Sequence, residues 1–310
     1  MNYAVGFDLG GTNIKAVAVT ANGTLLEKAS CPTEDNESAG WAEKVRAQLH
    51  IIEERVGENA SWVGLAAPGL AAVDGRSIAR ISSRLHRIQG LDWTNYLGFE
   101  RKIPVLNDAQ AALLGEVWQG AAVGRRQAIM LTLGTGVGGA ILVNGKLMKG
   151  FTGKAGEIGH ISLDVDGQPD STGIPGSLED AIGNSTLLAR SKGHFTSTRK
   201  LVEAYLSGEE AATEVWLRSV YKLSCAIASL INILDPEVVI IGGGIARAGD
   251  ALFAPTHRFM RKLEWRPYNR PVPIIPAKLG ELSGALGAAY NAISSAEIAK
   301  NGEVLCCSKI

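Results

Sequence analysis

The chain has 310 residues, with 31 Lys+Arg against 31 Asp+Glu, 46% hydrophobic residues, 37 glycines and four cysteines. That length predicts about two domains, each large enough for its own core, and zero net charge supplies no basic face for nucleic acid or an anionic membrane. Cys31, Cys225, Cys306 and Cys307 are too sparse and uneven for a disulfide framework, which points to a reducing cytoplasm.

In chain order, the first residues lack a basic segment and meet an acid at Asp8, so no signal peptide is read there. Tyr3 to Leu9 is a β-rich run that meets Gly10-Gly11-Thr12-Asn13, and Ile14 to Val19 is a second strand. Asn22-Gly23 is a hairpin signal, with Thr24 to Ala29 the third strand. Asn36 to Val56 shows helical spacing through Trp41, Val45, Leu49, Ile52 and Val56. Ser61 to Ala67 reads as a strand ending at Pro68-Gly69. Ile103 to Leu106 is another, leading through Asn107-Asp108 into a helix from Ala109 to Trp118.

The second half begins the same way. Ala128 to Leu133 is a strand, Gly134 to Gly139 a glycine turn, Ala140 to Val143 a strand, and Asn144-Gly145 a second hairpin turn. Gln127 to Gly145 is uncharged and long enough to span a bilayer, but its glycine-rich middle fits two buried strands around a turn better. Gly150 to Asn184 reads as irregular, where binding residues often sit. Glu214 to Leu234 is a long helix stopped by Pro236, Val238 to Ile241 an apolar strand turning at Gly242-Gly243-Gly244, and Gly284 to Ala299 an Ala-rich final helix. Strands alternate with helices throughout, so the class is α/β with two lobes.

Three glycine turns are candidates for ligand binding. At Asp8-Leu9-Gly10-Gly11-Thr12-Asn13, glycines let the backbone approach an anion and successive N–H groups can cradle it. Thr12 adds a hydroxyl, and Asp8 suits a hydrated Mg²⁺. A tight hairpin needing glycine for its φ angles explains the same residues. Gly134-Thr135-Gly136-Val137-Gly138-Gly139 satisfies G-x-G-x-x-G, yet a dinucleotide fingerprint must open a helix, and a strand follows here. No P-loop sequence occurs in the chain. The third turn, Gly242-Gly243-Gly244, suits a flat ring such as adenine.

Taken together the motifs resemble those of the ROK family of sugar kinases, within the actin/hexokinase/Hsp70 ATPase superfamily. Gly6 to Lys15 is similar to its first phosphate motif, Asn107 to Ala112 to its catalytic segment, and Leu133 to Gly139 to its second phosphate motif. Gly156-Glu157-Ile158-Gly159-His160 is similar to its sugar-binding segment, Ile241 to Ile245 to its adenosine motif, and Ser283 to Ala289 to the start of its closing helix. The resemblance implies a two-lobed actin-like ATPase (ribonuclease H-like) fold, with a duplicated mixed-sheet core and a central cleft. It implies a small lobe over residues 1–107 and a large lobe over 108–310, the closing helix near 284–299 packing back onto the small lobe. It also implies transfer of the ATP γ-phosphoryl group to a hexose hydroxyl, usually the 6-hydroxyl, with ATP and Mg²⁺ as cofactors.

By the same resemblance Asp108 accepts the hydroxyl proton, and its place at a helix start favours the ionised carboxylate; a plain N-cap Asp is the bland alternative. Asn107, Glu157, His160, Glu179 and Gly69 fall to the sugar. Asp8, Gly10, Gly11, Thr12, Lys15, Thr135, Gly136, Gly242, Gly243 and Gly244 fall to the nucleotide, with Asp8 holding Mg²⁺ through water. Glu157 and His160 as a surface pair, and Glu179 as helix decoration, are the competing readings. His50, His86, His194 and His257 read as solvated or locally satisfied.

One departure stands out. Many family members follow the Gly-His segment with three cysteines that, with the His, hold a structural zinc; here those positions are Asp170, Thr172 and Ser177. Hydroxyls are poor zinc ligands, and one Asp with one His cannot close a tetrahedral site. No structural zinc is expected, and hydrogen bonds from Thr172 and Ser177 are expected to shape the loop presenting His160 and Glu179. Glucose is the first-choice acceptor, with N-acetylmannosamine or N-acetylglucosamine next, their selecting residues falling within Ala71 to Leu91. A non-catalytic sugar-responsive regulator lacks room for an N-terminal DNA-binding helix pair ahead of Tyr3, and a chaperone-type ATPase would lack the Gly-Glu-Ile-Gly-His segment. A homodimer follows from the resemblance alone.

Overall fold

The computed structural model describes residues 1–35, 39–81, 85 and 87–300, the last three by backbone alone. Asn36, His86, part of the Ala71–Leu91 stretch, Cys306 and Cys307 lie outside the described residues. The chain divides into two compact units, one of residues 1–123, 149–154 and 281–310, the other of 124–148 and 155–280. The helix opened by Asp108, placed by the sequence reading at the head of the second lobe, belongs to the first unit.

The first unit is built on β1 (Tyr3–Leu9), β2 (Asn13–Thr20), β3 (Leu25–Pro32), α1 (Gly40–Val56) and β4 (Trp62–Ala67). The small ribbon β5 (Leu70–Ala71) and β6 (Ile78–Arg80) follows, then α2 (Trp93–Leu97), β7 (Val105–Asn107) and α3 (Asp108–Gln119). The sheet order is β3-β2-β1-β4-β7, antiparallel along the first three strands and parallel from β1 through β4 to β7. β1 and β4 are buried almost throughout because helices cover them, so they read as continuous apolar runs. Helix α1 turns Trp41, Val45, Leu49 and Ile52 inward and ends at Gly57 in a left-handed cap.

In the second unit β8 (Ala128–Leu133), β9 (Val137–Val143) and β10 (Lys146–Leu147) form the ribbon. Short helices α4 (Leu178–Ile182), α5 (Leu187–Arg190) and α6 (Thr198–Leu206) lead to the long α7 (Glu210–Leu234). Then come β11 (Val238–Gly242), α8 (Asp250–Leu263) and β12 (Ile274–Pro276). Its sheet order, β10-β9-β8-β11-β12, repeats the directions of the first. Asn144 (φ 53°) and Gly145 (φ 78°) are both left-handed, the requirement of a type I′ hairpin. Helix α7 has the length and apolarity to cross a membrane, but half of its apolar window is buried against α4, α6 and α8, as in a core helix.

The final helix, α9 (Ser283–Lys300), belongs to the first unit and packs on β1, β4 and α3. Glycines make that approach possible. A Cβ on Gly6 would lie 2.0 Å from the Ala285 carbonyl oxygen, one on Gly64 2.0 Å from that of Ala288, and one on Gly287 1.7 Å from that of Ala111. Backbone thus lies on backbone, at distances no side chain permits.

Candidate active site

In the first unit the turn after β1 closes with the Gly10 N–H donating to the Asn13 carbonyl (3.0 Å). Gly10 is not in the left-handed region; a Cβ there would fall 2.9 Å from that same carbonyl oxygen, so close approach and not φ requires glycine. Buried Thr33 stitches the turn from outside, its hydroxyl donating to the Gly10 carbonyl (2.6 Å) and its N–H to that of Thr12 (2.9 Å). Nothing in the sequence marks Thr33, a lone hydroxyl after a strand.

Asp8 pairs across the ribbon with Lys15 and lies beneath the start of α9, where a Cβ on Gly284 would meet Asp8 Oδ2 at 2.6 Å. Burial pushes the Asp8 carboxyl up to about 7, the charge of Asp108 pushes the same way, and Lys15 opposes both. Lys15 also reaches Glu281 at 3.7 Å. Asn107, not Asp108, is the N-cap of α3: its Oδ1 accepts from the N–H groups of Ala109 (2.9 Å) and Gln110 (3.4 Å). Its Nδ2 donates to the Gly69 carbonyl (2.9 Å), joining two residues the sequence assigned to sugar. Asp108 is therefore the first helical residue, exposed, with Oδ1 accepting from the Ala109 N–H at 2.8 Å. Asp8, Asp108, Asn107 and the Gly10–Thr12 turn thus sit in one unit, at the carboxyl ends of β1 and β7.

The second unit carries the rest. Thr135 is exposed, and its carbonyl accepts from both the N–H (2.9 Å) and the hydroxyl (2.8 Å) of Ser185. Glu179, in the first turn of α4, accepts the Val137 N–H through Oε2 (3.0 Å), and a Cβ on Gly136 would overlap that oxygen at 2.1 Å. One Glu179 oxygen is therefore committed to the glycine turn, a contact across 42 positions that no local pattern signals. Glu157 and His160 lie on a 3₁₀ turn, with Glu157 Oε2 4.0 Å from His160 Nε2. Burial raises the Glu157 carboxyl above its usual range, against the pull of His160 and with a further push from Glu179. Gly242 ends β11; Gly243, at φ 86°, approaches the backbone of Leu133 where a Cβ would lie 2.3 Å from its oxygen; Gly244 faces open space.

The loop 161–177 departs from expectation. Thr172 donates its hydroxyl to Asp170 (2.7 Å), but Ser177 caps α4 instead, accepting from the Asp180 N–H (3.2 Å). The organising group is Asp170, weighed in the sequence only as an inadequate metal ligand. Among the described residues no cluster of three His, Cys, Asp or Glu has metal-binding geometry. Of the other histidines, His50 is exposed beside Glu53 (3.6 Å), His257 Nε2 lies 3.1 Å from the Ile274 carbonyl, and His194 is exposed.

The sequence matches the ROK family over residues 4–294. A glucokinase of Thermotoga maritima is 33% identical over 308 residues, covering 92% of this chain and 95% of its own. Among solved structures, a ROK hexokinase from Thermus thermophilus superposes with a TM-score of 0.82 at 29% identity, over 95% of this chain and 99% of that one. A ROK family glucokinase from Streptomyces griseus, in complex with glucose and AMPPNP, gives a TM-score of 0.77 at 26% identity, over 94% of this chain and all (100%) of that one.

Proposed function

This chain belongs to the ROK family, has its actin-like ATPase fold and is a sugar kinase; from that premise we propose that it transfers the γ-phosphoryl group of ATP to the 6-hydroxyl of a hexose, with glucose the acceptor. The observation that carries the reading is the exposed Asp108 carboxylate opening α3, beside the Asn107–Gly69 hydrogen bond and within electrostatic reach of Asp8. Support for glucose and for an ATP-like donor comes from the Streptomyces complex and the Thermotoga glucokinase.

In this mechanism Asp108 takes the proton of the attacking hydroxyl. Phosphoryl transfer runs through a loose transition state, so the base accepts its proton late and needs no raised basicity. The backbone N–H groups of Gly11, Thr12, Thr135 and Gly136, with the Lys15 ammonium, hold the phosphates, while Gly10 closes the first turn with its own N–H and lets the backbone approach them. The turn Gly242-Gly243-Gly244 takes the base, with Gly244 leaving room for a flat ring. Asn107, Gly69, Glu157, His160 and Glu179 orient the sugar, carboxylates suiting adjacent hydroxyls because each oxygen accepts from them. For Mg²⁺ the donor set fits: a carboxylate burdened by burial and by a second acid is relieved by a hydrated cation, so Asp8 would hold the ion through water. Bound there with the nucleotide, Mg²⁺ neutralises charge on the phosphates. The free thiols of Cys31 and Cys225 support a cytoplasmic location, and the family resemblance a homodimer, which light scattering tests.

ADP release from ATP, with sugar phosphate formation measured from ATP and from polyphosphate, against no sugar, glucose, N-acetylmannosamine and N-acetylglucosamine, tests the proposal. Glucose-dependent release from ATP is expected. Release without sugar makes the chain an ATPase module, none with any sugar makes it a regulator, and preference for an N-acetylhexosamine overturns glucose.

A further inference from the structure

The Asp170 side chain is fully buried, at 0% exposure, although it sits in a polar loop. Its Oδ1 accepts three hydrogen bonds, from the Thr172 N–H (2.8 Å), the Thr172 hydroxyl (2.7 Å) and the Ile174 N–H (3.0 Å). Its Oδ2 lies 2.8 Å from His160 Nδ1. Burial alone would raise this carboxyl, but the bonds from His160, Thr172 and Ile174 outweigh it and hold the group well below the usual carboxylate range. It is therefore ionised, and an ionised carboxylate has only acceptors to offer. The proton between the two side chains must then sit on Nδ1, and in the neutral imidazole Nε2 is left as an acceptor.

We propose that Asp170 is a positioning residue that fixes the tautomer and orientation of His160, so that Nε2 and the Glu157 carboxylate face the sugar as two neighbouring acceptors. Glu157 Oε2 is 4.0 Å from Nε2, too far for a hydrogen bond, and two acceptors cannot bond one another. Together they match a pair of adjacent hydroxyl donors, a feature of any pyranose. The loop itself is closed without metal chemistry, because Asp170, Thr172 and Ser177 are each committed to hydrogen bonds. The inference about the sugar rests on the assignment of His160 and Glu157 under the proposed function; the inference about the tautomer does not.

The Asp170→Asn substitution separates the two. The amide oxygen can keep the bonds from Thr172 and Ile174, while the amide N–H₂ now faces Nδ1 and obliges the imidazole to carry its proton on Nε2. That N–H faces the Glu157 carboxylate as a donor, so Nε2 no longer offers the sugar an acceptor. In long-range ¹⁵N–¹H spectra of the ligand-free protein, assigned by the signal lost in His160→Gln, wild-type His160 is expected as the Nδ1–H tautomer and the Asn variant as Nε2–H. KM for glucose is expected to rise about 10–100-fold, the usual effect of removing a partner that orients a His, with KM for ATP unchanged. An Nε2–H tautomer in the wild type, readable even if the variant fails to fold, overturns the proposal, as does an unchanged tautomer in the variant. A reversed tautomer with unchanged KM for glucose upholds the role of Asp170 and removes His160 from the sugar site.

Discussion

The two units carry the same five-stranded pattern but fill its functional end with opposite chemistry. In the first, the pair next to the last before the glycine turn is Asp8 opposite Lys15; at the same register in the second stand Thr132 and Gly138. The first ribbon thus presents charge from within its strands. The second presents neutral backbone, and its carboxylates, Glu157 and Glu179, come from the irregular segment that follows β10. A repeated sheet supplies two turns where backbone N–H groups come close together, and side-chain chemistry was needed on only one of them.

The strongest way to break that comparison is to neutralise the acid side. Asp108→Asn is expected to lower kcat about 10²–10⁴-fold, the share of a positioned base; near-normal turnover removes Asp108 from that role. Asp8→Asn tests the charge buried in the first ribbon. Burial pushes the Asp8 carboxyl from its ordinary 3.8 up to about 7, so the folded state binds more protons between those values and stability falls as pH rises through that window. The Asn variant should accordingly unfold at higher denaturant than wild type at pH 8, by at most about 4 kcal/mol, with the gain vanishing toward pH 4. An equal gain at both pH values would show that Asp8 is not held uncharged by its surroundings.

Packing offers a third contrast. Gly287→Ala drives a Cβ into the Ala111 carbonyl and is expected to cost about 1–3 kcal/mol or more in chemical denaturation, whereas Gly244→Ala, with no neighbour within 4 Å, should leave stability nearly unchanged. Equal effects would mean that α9 can shift. Glu179→Gln keeps the size of the side chain but weakens its bond to Val137, and about a tenfold rise in KM for both glucose and ATP is expected. A rise for glucose alone would detach Glu179 from the glycine turn. Smallest of all, metal analysis of protein purified without chelators should find no zinc; one zinc per chain would sink the hydrogen-bonded account of the 161–177 loop.

Much of the scaffold could be read before any coordinates. β8 runs over the predicted residues, because an apolar run ended by a glycine turn admits little else, and both hairpins were marked by Asn-Gly. β9 starts at Val137, inside the predicted turn, since its glycines remain extended. Helix α8 escaped because Pro255 interrupts the pattern that signals a helix, and β12 because prolines flank and end it at a sheet edge. At the site, residue types at motif spacing could be named, but their division of labour could not. The cap belongs to Asn107 and not Asp108, one Glu179 oxygen is spent on the turn, and Asp170 holds His160. The first is settled by local bonds that either neighbour could have made, the other two by hydrogen bonds whose partners the chain path brings together.

The glycine-lined faces of β1 and β4 are synthesised well before the helix that covers them, α9, the last described element. On a translating ribosome the first ribbon must therefore wait, its small-residue surface wet, until Ser283–Lys300 has emerged. Nascent chains halted before Ser283 are expected to remain protease-sensitive in residues 1–123 while the 124–280 segment gains protection on its own.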